Sequence, residues 1–100
     1  MTAEEKAYSM LSLAMKAGAL KCGGFNCEEA IKKRKAFLII AAEDMAAGSL
    51  KTLCDKSRTA GIEVIRFGTK EGLARAVGKE YTSCIAVCDR SFAEGLKKKF

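Results

Sequence analysis

The stretch Ala36-Phe37-Leu38-Ile39-Ile40-Ala41-Ala42-Glu43-Asp44 decides the fold. A half-buried strand would alternate apolar and polar side chains, but no polar residue interrupts this run before Glu43. Both faces of such a strand are apolar, as expected in the middle of a sheet covered on both sides. The run is far shorter than the roughly 20 residues needed to span a bilayer as a helix.

Working outward, the hydrophobic period switches repeatedly. On the N-terminal side, a helix from about Asn26 to Arg34 precedes the strand, and the paired Gly23-Gly24 precedes that helix. A short strand near Leu20 to Cys22 comes before the glycines. The chain opens with a helix from Thr2 to Lys16, where Thr2-Ala3-Glu4-Glu5 has capping-box form and Tyr8, Leu11 and Met15 recur at helical spacing. On the C-terminal side, Ala46, Leu50, Leu53, Cys54 and Ser57 mark a helix face closed by Gly61. Glu63 to Phe67 is strand-like. Thr69 caps a helix carrying Leu73, Ala76 and Val77 that stops at Gly78. Cys84 to Cys88 is a second buried strand, and Ser91-Phe92-Ala93-Glu94 is a capping-box form opening a last helix. Strands alternating with helices predict an α/β protein: a three-layer α/β/α sandwich whose central mixed, largely parallel sheet has about four strands. Function in such sheets gathers on the loops at one end of the strands. The loops to examine are Gly23 to Asn26, Glu43 to Gly48 and Gly78 to Ser83.

The 100 residues form one domain, spanning 1–100, with no proline and no low-complexity linker. The N-terminus lacks the basic flank and apolar stretch of a signal peptide, so the expected compartment is the cytoplasm, with no membrane partner. The formal net charge is +6, and seven of the eighteen basic residues lie in Lys32-Lys33-Arg34-Lys35 and Lys97-Lys98-Lys99. That balance favours a polyanionic partner. The competing reading is two solvated helix ends, where cations complement the helix dipole.

Catalysis finds little support. The chain has no histidine to act as a base, and its glycines match neither a phosphate-binding loop nor a dinucleotide fingerprint. Five cysteines occur without a Cys-x-x-Cys pair and without any histidine, which disfavours a zinc site, although Cys84 and Cys88 would share one face of a strand and offer a labile bridge or soft-metal pair. Cys54, Cys84 and Cys88 sit in apolar patterns and read as reduced core thiols. Cys22 and Cys27 lie near basic residues, which lower a thiol's pKa, and are the candidates for a thiol sensor. Glu43-Asp44 reads as the end of a strand that caps the next helix. No catalytic residue, metal or cofactor is expected.

The most informative segment is Gly23-Gly24-Phe25-Asn26-Cys27-Glu28-Glu29-Ala30-Ile31-Lys32-Lys33. Two glycines let the backbone approach a ligand closely, and the N–H groups of the following helix start attract phosphate. Phe25 can stack on a base, Asn26 can read a base edge, and Lys32 and Lys33 can neutralise phosphates. The same residues also satisfy a purely structural reading, in which Asn26 and Glu29 form a capping box and Phe25 is the hydrophobic staple before it.

At this point the chain resembles a known family. From Ser12 through Phe92 it is similar to the ribosomal protein L-seven-Ae and L-thirty-e superfamily, and in particular to its small bacterial YlxQ-type members. The residues that carry the resemblance are Leu13-Ala14-Met15-Lys16-Ala17-Gly18, Gly23, and Ala36 through Asp44. Gly68-Thr69-Lys70-Glu71-Gly72-Leu73, Ala76-Val77-Gly78-Lys79-Glu80 and Ala86-Val87-Cys88-Asp89 complete it. The family fold is an α/β/α sandwich, and many members bind kink-turns, sharply bent RNA helices. The resemblance implies contacts from the glycine loop, the helix start after it, Glu43 and Asp44, and the loop after Gly78, with Lys79, Glu80, Tyr81 and Thr82. The family's recognition stretch runs glycine, any residue, asparagine, glutamate, two variable residues, lysine. Counted without gaps, Gly23 falls at the glycine, Phe25 at the asparagine, Asn26 at the glutamate and Glu29 at the lysine. A one-residue shift aligns Asn26 with the asparagine but brings Cys27 and Ala30 to the other two positions. Either way the base-reading set is incomplete, and Lys32, Lys33 or Lys79 would have to compensate for the charge of Glu29.

The resulting expectation is a non-catalytic, monomeric RNA-binding protein for kink-turn-like or ribosomal RNA, with the ribosome as a candidate partner. The alternative is a protein–protein interaction module on the same fold, which predicts no co-purifying RNA.

Overall fold

The computed structural model describes residues 1–100. In chain order the elements are α1 (Ala3–Lys16), β1 (Leu20–Cys22), α2 (Gly24–Lys32), β2 (Leu38–Ala41), α3 (Ala47–Thr59), β3 (Val64–Arg66), α4 (Lys70–Val77), β4 (Cys84–Val87) and α5 (Arg90–Lys97). Helices α2 and α3 pack together on one side of the sheet, and α1 packs with α4 and α5 on the other, which gives the expected three layers. No helix is long and apolar enough to cross a membrane.

The sheet has four strands in the order β1-β4-β2-β3. It is mixed, as read from the sequence, but it is not largely parallel. Only β2 and β3 are parallel, whereas β4 runs antiparallel to both of its neighbours. Hydrophobic period reports which faces of a strand are buried and says nothing of its direction. The reversal is made between β3 and β4 by the segment 78–83, which returns past α4. Tyr81, just past it, lies 5.7 Å from the Lys70 ammonium at its start, so the helix and its loop double back. The chain therefore leaves β3 and enters β4 at the same end of the sheet.

The two central strands justify their uninterrupted apolar runs. Every residue of Leu38–Ala41 and of Cys84–Val87 is buried, with Leu11, Leu53, Leu73 and Leu96 closing over them from the two helical layers. Register follows from Ile39 opposite Ala86 and Ile40 opposite Ile85, with Ile39 opposite Val64 across the parallel pair.

Local signals at helix ends were read with mixed success. Thr2 and Glu5 form the predicted capping box: Glu5 N–H donates to Thr2 Oγ1 at 3.0 Å and Thr2 N–H to Glu5 Oε1 at 2.9 Å. That bond to the Thr2 backbone, with a smaller contribution from the Thr2 hydroxyl, holds the Glu5 carboxyl below its ordinary pKa. Thr69 caps α4 by accepting from Gly72 N–H, and Gly78 closes it in the left-handed conformation. The capping box at Ser91 does not exist. The helix begins one residue earlier, and Asp89 is its cap, accepting the Phe92 N–H at 3.0 Å. Asp89→Ala is therefore expected to cost about 1 kcal/mol in urea denaturation, while Ser91→Ala leaves the midpoint nearly unchanged. Equal effects would contradict the assignment.

Candidate functional site

Because β1, β2 and β3 run the same way and β4 opposes them, four connections meet at one end of the sheet. These are the loops after β1, β2 and β3 and the loop before β4. Backbone bonds tie them together. Gly23 N–H donates to the Cys84 carbonyl at 2.9 Å, Ala42 N–H to Ser83 at 2.8 Å, and Glu43 N–H to Gly68 at 2.8 Å. Helices α2, α3 and α4 all begin at this pole, so the positive ends of three helix dipoles converge there. Neither α2 nor α3 has a side-chain cap.

The structure revises the reading of the glycine loop. The helix starts at Gly24, two residues earlier than predicted, with Gly23 as its N-cap. Asn26 is consequently not the cap and forms no capping box with Glu29. Its amide reaches back and donates to the Cys22 carbonyl at 2.9 Å, which staples the helix start to the end of β1. The N–H groups of Gly24, Phe25 and Asn26 have no acceptor within the protein. Nor is Phe25 a hydrophobic staple: it is 78 % exposed. A large apolar ring held in water on a rigid helix start is available for stacking.

On the other side of the loop cluster, Tyr81 is 67 % exposed, and the Lys70 ammonium lies over its ring. Tyr81, Lys70, Lys79, Glu80, Asp44 and Arg75 border a depression of about 520 Å³. A second depression, of about 430 Å³, is bordered by Gly24, Phe25, Met45, Ser49 and Ser83. Asp44 does not cap the helix that follows it; its carboxylate accepts the Lys70 N–H at 2.8 Å, at the start of α4. The Glu43 side chain is free, and its carbonyl accepts from the Arg66 guanidinium at 2.7 Å. Arg66 and Lys70 are cations of this pole that sequence reasoning did not single out. Lys70 was legible as the residue after the Thr69 cap, but nothing in the sequence announced its approach to Tyr81.

Three predicted contributors lie elsewhere. Lys32 and Lys33 close α2, and eight residues from Gly24 to Lys32 amount to about 12 Å of helix axis, so both lie toward the far end of the sheet. Glu29 is on the same helix about 7 Å from its start. Thr82 is in the right loop but only 1 % exposed. Its hydroxyl is buried without a hydrogen-bond partner, so it faces the core and not a ligand. Thr82→Val is expected to leave ligand affinity unchanged and to stabilise the fold by about 1 kcal/mol, the cost of an unmet buried hydroxyl. A loss of stability on thermal unfolding would overturn that placement.

Burial argues against a thiol sensor at Cys27, while Cys22 is half-buried. All five cysteines are free, and Cys27 and Cys84 are buried. The hydrogen bond to Cys84, together with burial, raises the Cys27 thiol above its ordinary pKa. Burial likewise raises Cys22, although the Lys79 charge opposes it. Neither is poised as a thiolate.

The pole presents exposed aromatic rings, unpaired backbone donors and lysines on one loop cluster. The chain belongs to the ribosomal protein L7Ae/L30e/S12e/Gadd45 family, whose model matches residues 5–96. Among curated relatives it is similar to the RNA-binding protein YlxQ of Bacillus subtilis (strain 168), at 27% identity over 89 residues, or 89% of each chain. Among solved structures it superposes on a Bacillus halodurans protein of unknown function with a TM-score of 0.90 and 31% identity, covering 94% of this chain and 95% of that one. The 15.5kD RNA binding protein of Giardia lamblia shares the fold, with a TM-score of 0.76 at 19% identity, covering 92% and 79%.

Proposed function

We propose that residues 1–100 act as one non-catalytic RNA-binding unit that grips a sharply bent, kink-turn-like RNA at the pole where the four loops meet, with ribosomal RNA as a candidate source. The observation that carries this reading is the pair of exposed rings, Phe25 at the start of α2 and Tyr81 in the loop before β4, beside unpaired N–H groups and lysines. A bent RNA splays bases that such rings can stack on, whereas a straight duplex keeps its bases paired and its deep groove closed to side chains. The relative named as an RNA-binding protein supports the class of ligand.

The mode of contact differs from the family's recognition stretch. Phe25 stands where base-edge hydrogen bonding would be expected and supplies stacking in its place. Gly23 and Gly24 keep the backbone low, and Asn26 positions the helix start while retaining its carbonyl oxygen for a ligand donor. Lys70 and Lys79, together with Arg66, take the phosphates, on the opposite side of the loop cluster from Glu29. Glu43, Asp44 and Glu80 set the rim, and Asp44 holds the start of α4 through its bond to the Lys70 N–H.

Titration of the purified protein with a kink-turn RNA and with a straight duplex of matched composition, at two salt concentrations, tests this directly. Preference for the kinked RNA is expected. If the three cations each neutralise one phosphate, log affinity falls against log salt with a slope of roughly −2 to −3. Equal binding to both RNAs, or none, would overturn the proposal and favour a protein partner for the same surface.

A further inference from the structure

The lysines displaced from the first site form a surface of their own. At the opposite end of the sheet, Lys32, Lys33, Arg34 and Lys35 lead into β2, and Arg90 follows β4. Two of them, Lys32 and Arg34, border a groove of about 800 Å³ that Phe37, Lys56 and Ile62 also line. None of Lys32, Lys33, Arg34, Lys35 and Arg90 has an acidic partner within 4.0 Å. The two acids of the groove are already engaged. Glu28 is paired with Lys56, and Asp55 with Lys51 at 2.8 Å and Arg58 at 3.7 Å.

Cations near helix C-termini are ordinarily explained by the dipole, and Lys32 and Lys33 meet that description. Arg34 and Lys35 follow the C-cap Lys33 and close the helix, the Arg34 N–H donating to the Ile31 carbonyl at 3.1 Å and the Lys35 N–H to the Ala30 carbonyl at 2.9 Å. Arg34 adopts φ 58, the sole non-glycine residue of the chain with positive φ. That left-handed turn is the ordinary close of a helix, at a position glycine often takes. Phe37 keeps its ring 38 % exposed, and the Arg90 guanidinium lies 5.3 Å over it. Helix geometry accounts neither for the exposed, cation-backed Phe37 ring nor for four consecutive cations without an acidic partner, whereas a phosphate backbone laid along this end of the sheet would meet both.

We propose that this basic pole is a second RNA-binding surface, which takes the phosphate backbone of a paired A-form segment without reading sequence. The proposal rests on the assignment of the first pole to bent RNA, since it places a second RNA segment on the far side of the same sheet. The protein then bridges two RNA segments instead of coating one.

Two variants separate the poles. One carries Lys32→Gln, Lys33→Gln, Arg34→Gln and Lys35→Gln; the other carries Phe25→Ala and Tyr81→Ala. Each is titrated by fluorescence anisotropy with a perfectly paired RNA duplex and with a kink-turn RNA. The four-fold glutamine protein is expected to bind the duplex at least about ten-fold more weakly, with a log–log salt slope shallower by about 3, and to keep its preference for kinked RNA. The Phe25/Tyr81 protein is expected to keep duplex binding. Arg90→Gln, a single surface change, repeats the test with a smaller duplex defect should the four-fold variant fail to fold. Duplex affinity and slope unchanged in the glutamine variants would overturn the second surface. So would loss of duplex binding in the Phe25/Tyr81 protein, because the duplex would then occupy the first pole. Loss of the kinked-RNA preference in the unmodified protein, with a duplex defect confined to the glutamine variants, would overturn the first reading alone.

Discussion

Replacing Phe25 and Tyr81 together by alanine is expected to weaken binding of a kink-turn RNA by about 100-fold while leaving the protein folded. Each stacked base loses roughly 1–3 kcal/mol when its aromatic platform is removed. Two platforms, one on a helix start and one in a loop, are far enough apart in the chain to hold different bases. The cost to stability is small, within about ±0.5 kcal/mol, as for other surface substitutions, since the two rings are 78 % and 67 % exposed. The Lys70 ammonium loses its contact with the Tyr81 ring but retains water and phosphate as partners. Phe25→Leu is the sharper single variant, because it keeps apolar area and removes only the flat ring. Affinity measured at one salt concentration, with circular dichroism to establish folding, decides the matter. A folded double variant that binds normally would mean that the rings lie outside the RNA interface.

Gly68→Ala is expected to cost about 3 kcal/mol of stability, the largest effect of any single methyl group in the chain. Two terms add. Gly68 has φ +70, where an L side chain costs roughly 1–2 kcal/mol. The new Cβ would also stand 2.5 Å from Tyr8 Oη and 3.2 Å from its Cζ, and overpacking of this kind costs about 1–3 kcal/mol. Tyr8 cannot swing aside freely. Its ring packs on Phe67 at 4.8 Å, and Phe67 packs in turn on Phe100 at 4.9 Å. Gly72→Ala is the matching control, meeting the same Tyr8 oxygen at 2.4 Å from a helical backbone without the left-handed penalty. Removing the hydroxyl with Tyr8→Phe should recover part of the loss in both variants. Urea denaturation of the four proteins reads all of this. The damage should extend to the binding pole, because the Gly68 carbonyl accepts the Glu43 N–H. If Gly68→Ala retained full stability, the Tyr8–Phe67–Phe100 stack would not be holding α1 to β3.

The two poles also explain why one stretch of sequence misled. Glycines, an aromatic, an asparagine and lysines within residues 23–33 look like one site when counted along the chain. A helix separates its ends in proportion to its length, however, and α2 carries Gly24 and Lys32 to different ends of the sheet. Its cap misled for a related reason. Asn followed three residues later by Glu is a sound signal for a helix start, but backbone bonds from Gly23 to Cys84 and from Cys27 to Gly23 start the helix earlier. Asn26 is then left to bond backward to Cys22.

Elements whose evidence is local were legible in the residues themselves. The apolar runs of Leu38–Ala41 and Cys84–Val87, the capping box of Thr2 and Glu5, the Thr69 cap and the Gly78 stop all act within a few positions of chain, and period and side-chain chemistry are enough to find them. Family membership was legible too, because order and spacing of many weak signals survive when each alone is unspecific. Strand direction, the placing of Phe25 and Tyr81 at one end of the sheet, the approach of Lys70 to Asp44 and the separation of the basic run from the glycine loop were decided by tertiary structure alone. The first two depend on where β4 enters the sheet, the third on the parallel pairing of β2 and β3, and the last on the length of α2. No residue encodes such a contact by itself, since the energy that selects it is shared among side chains far apart in the chain.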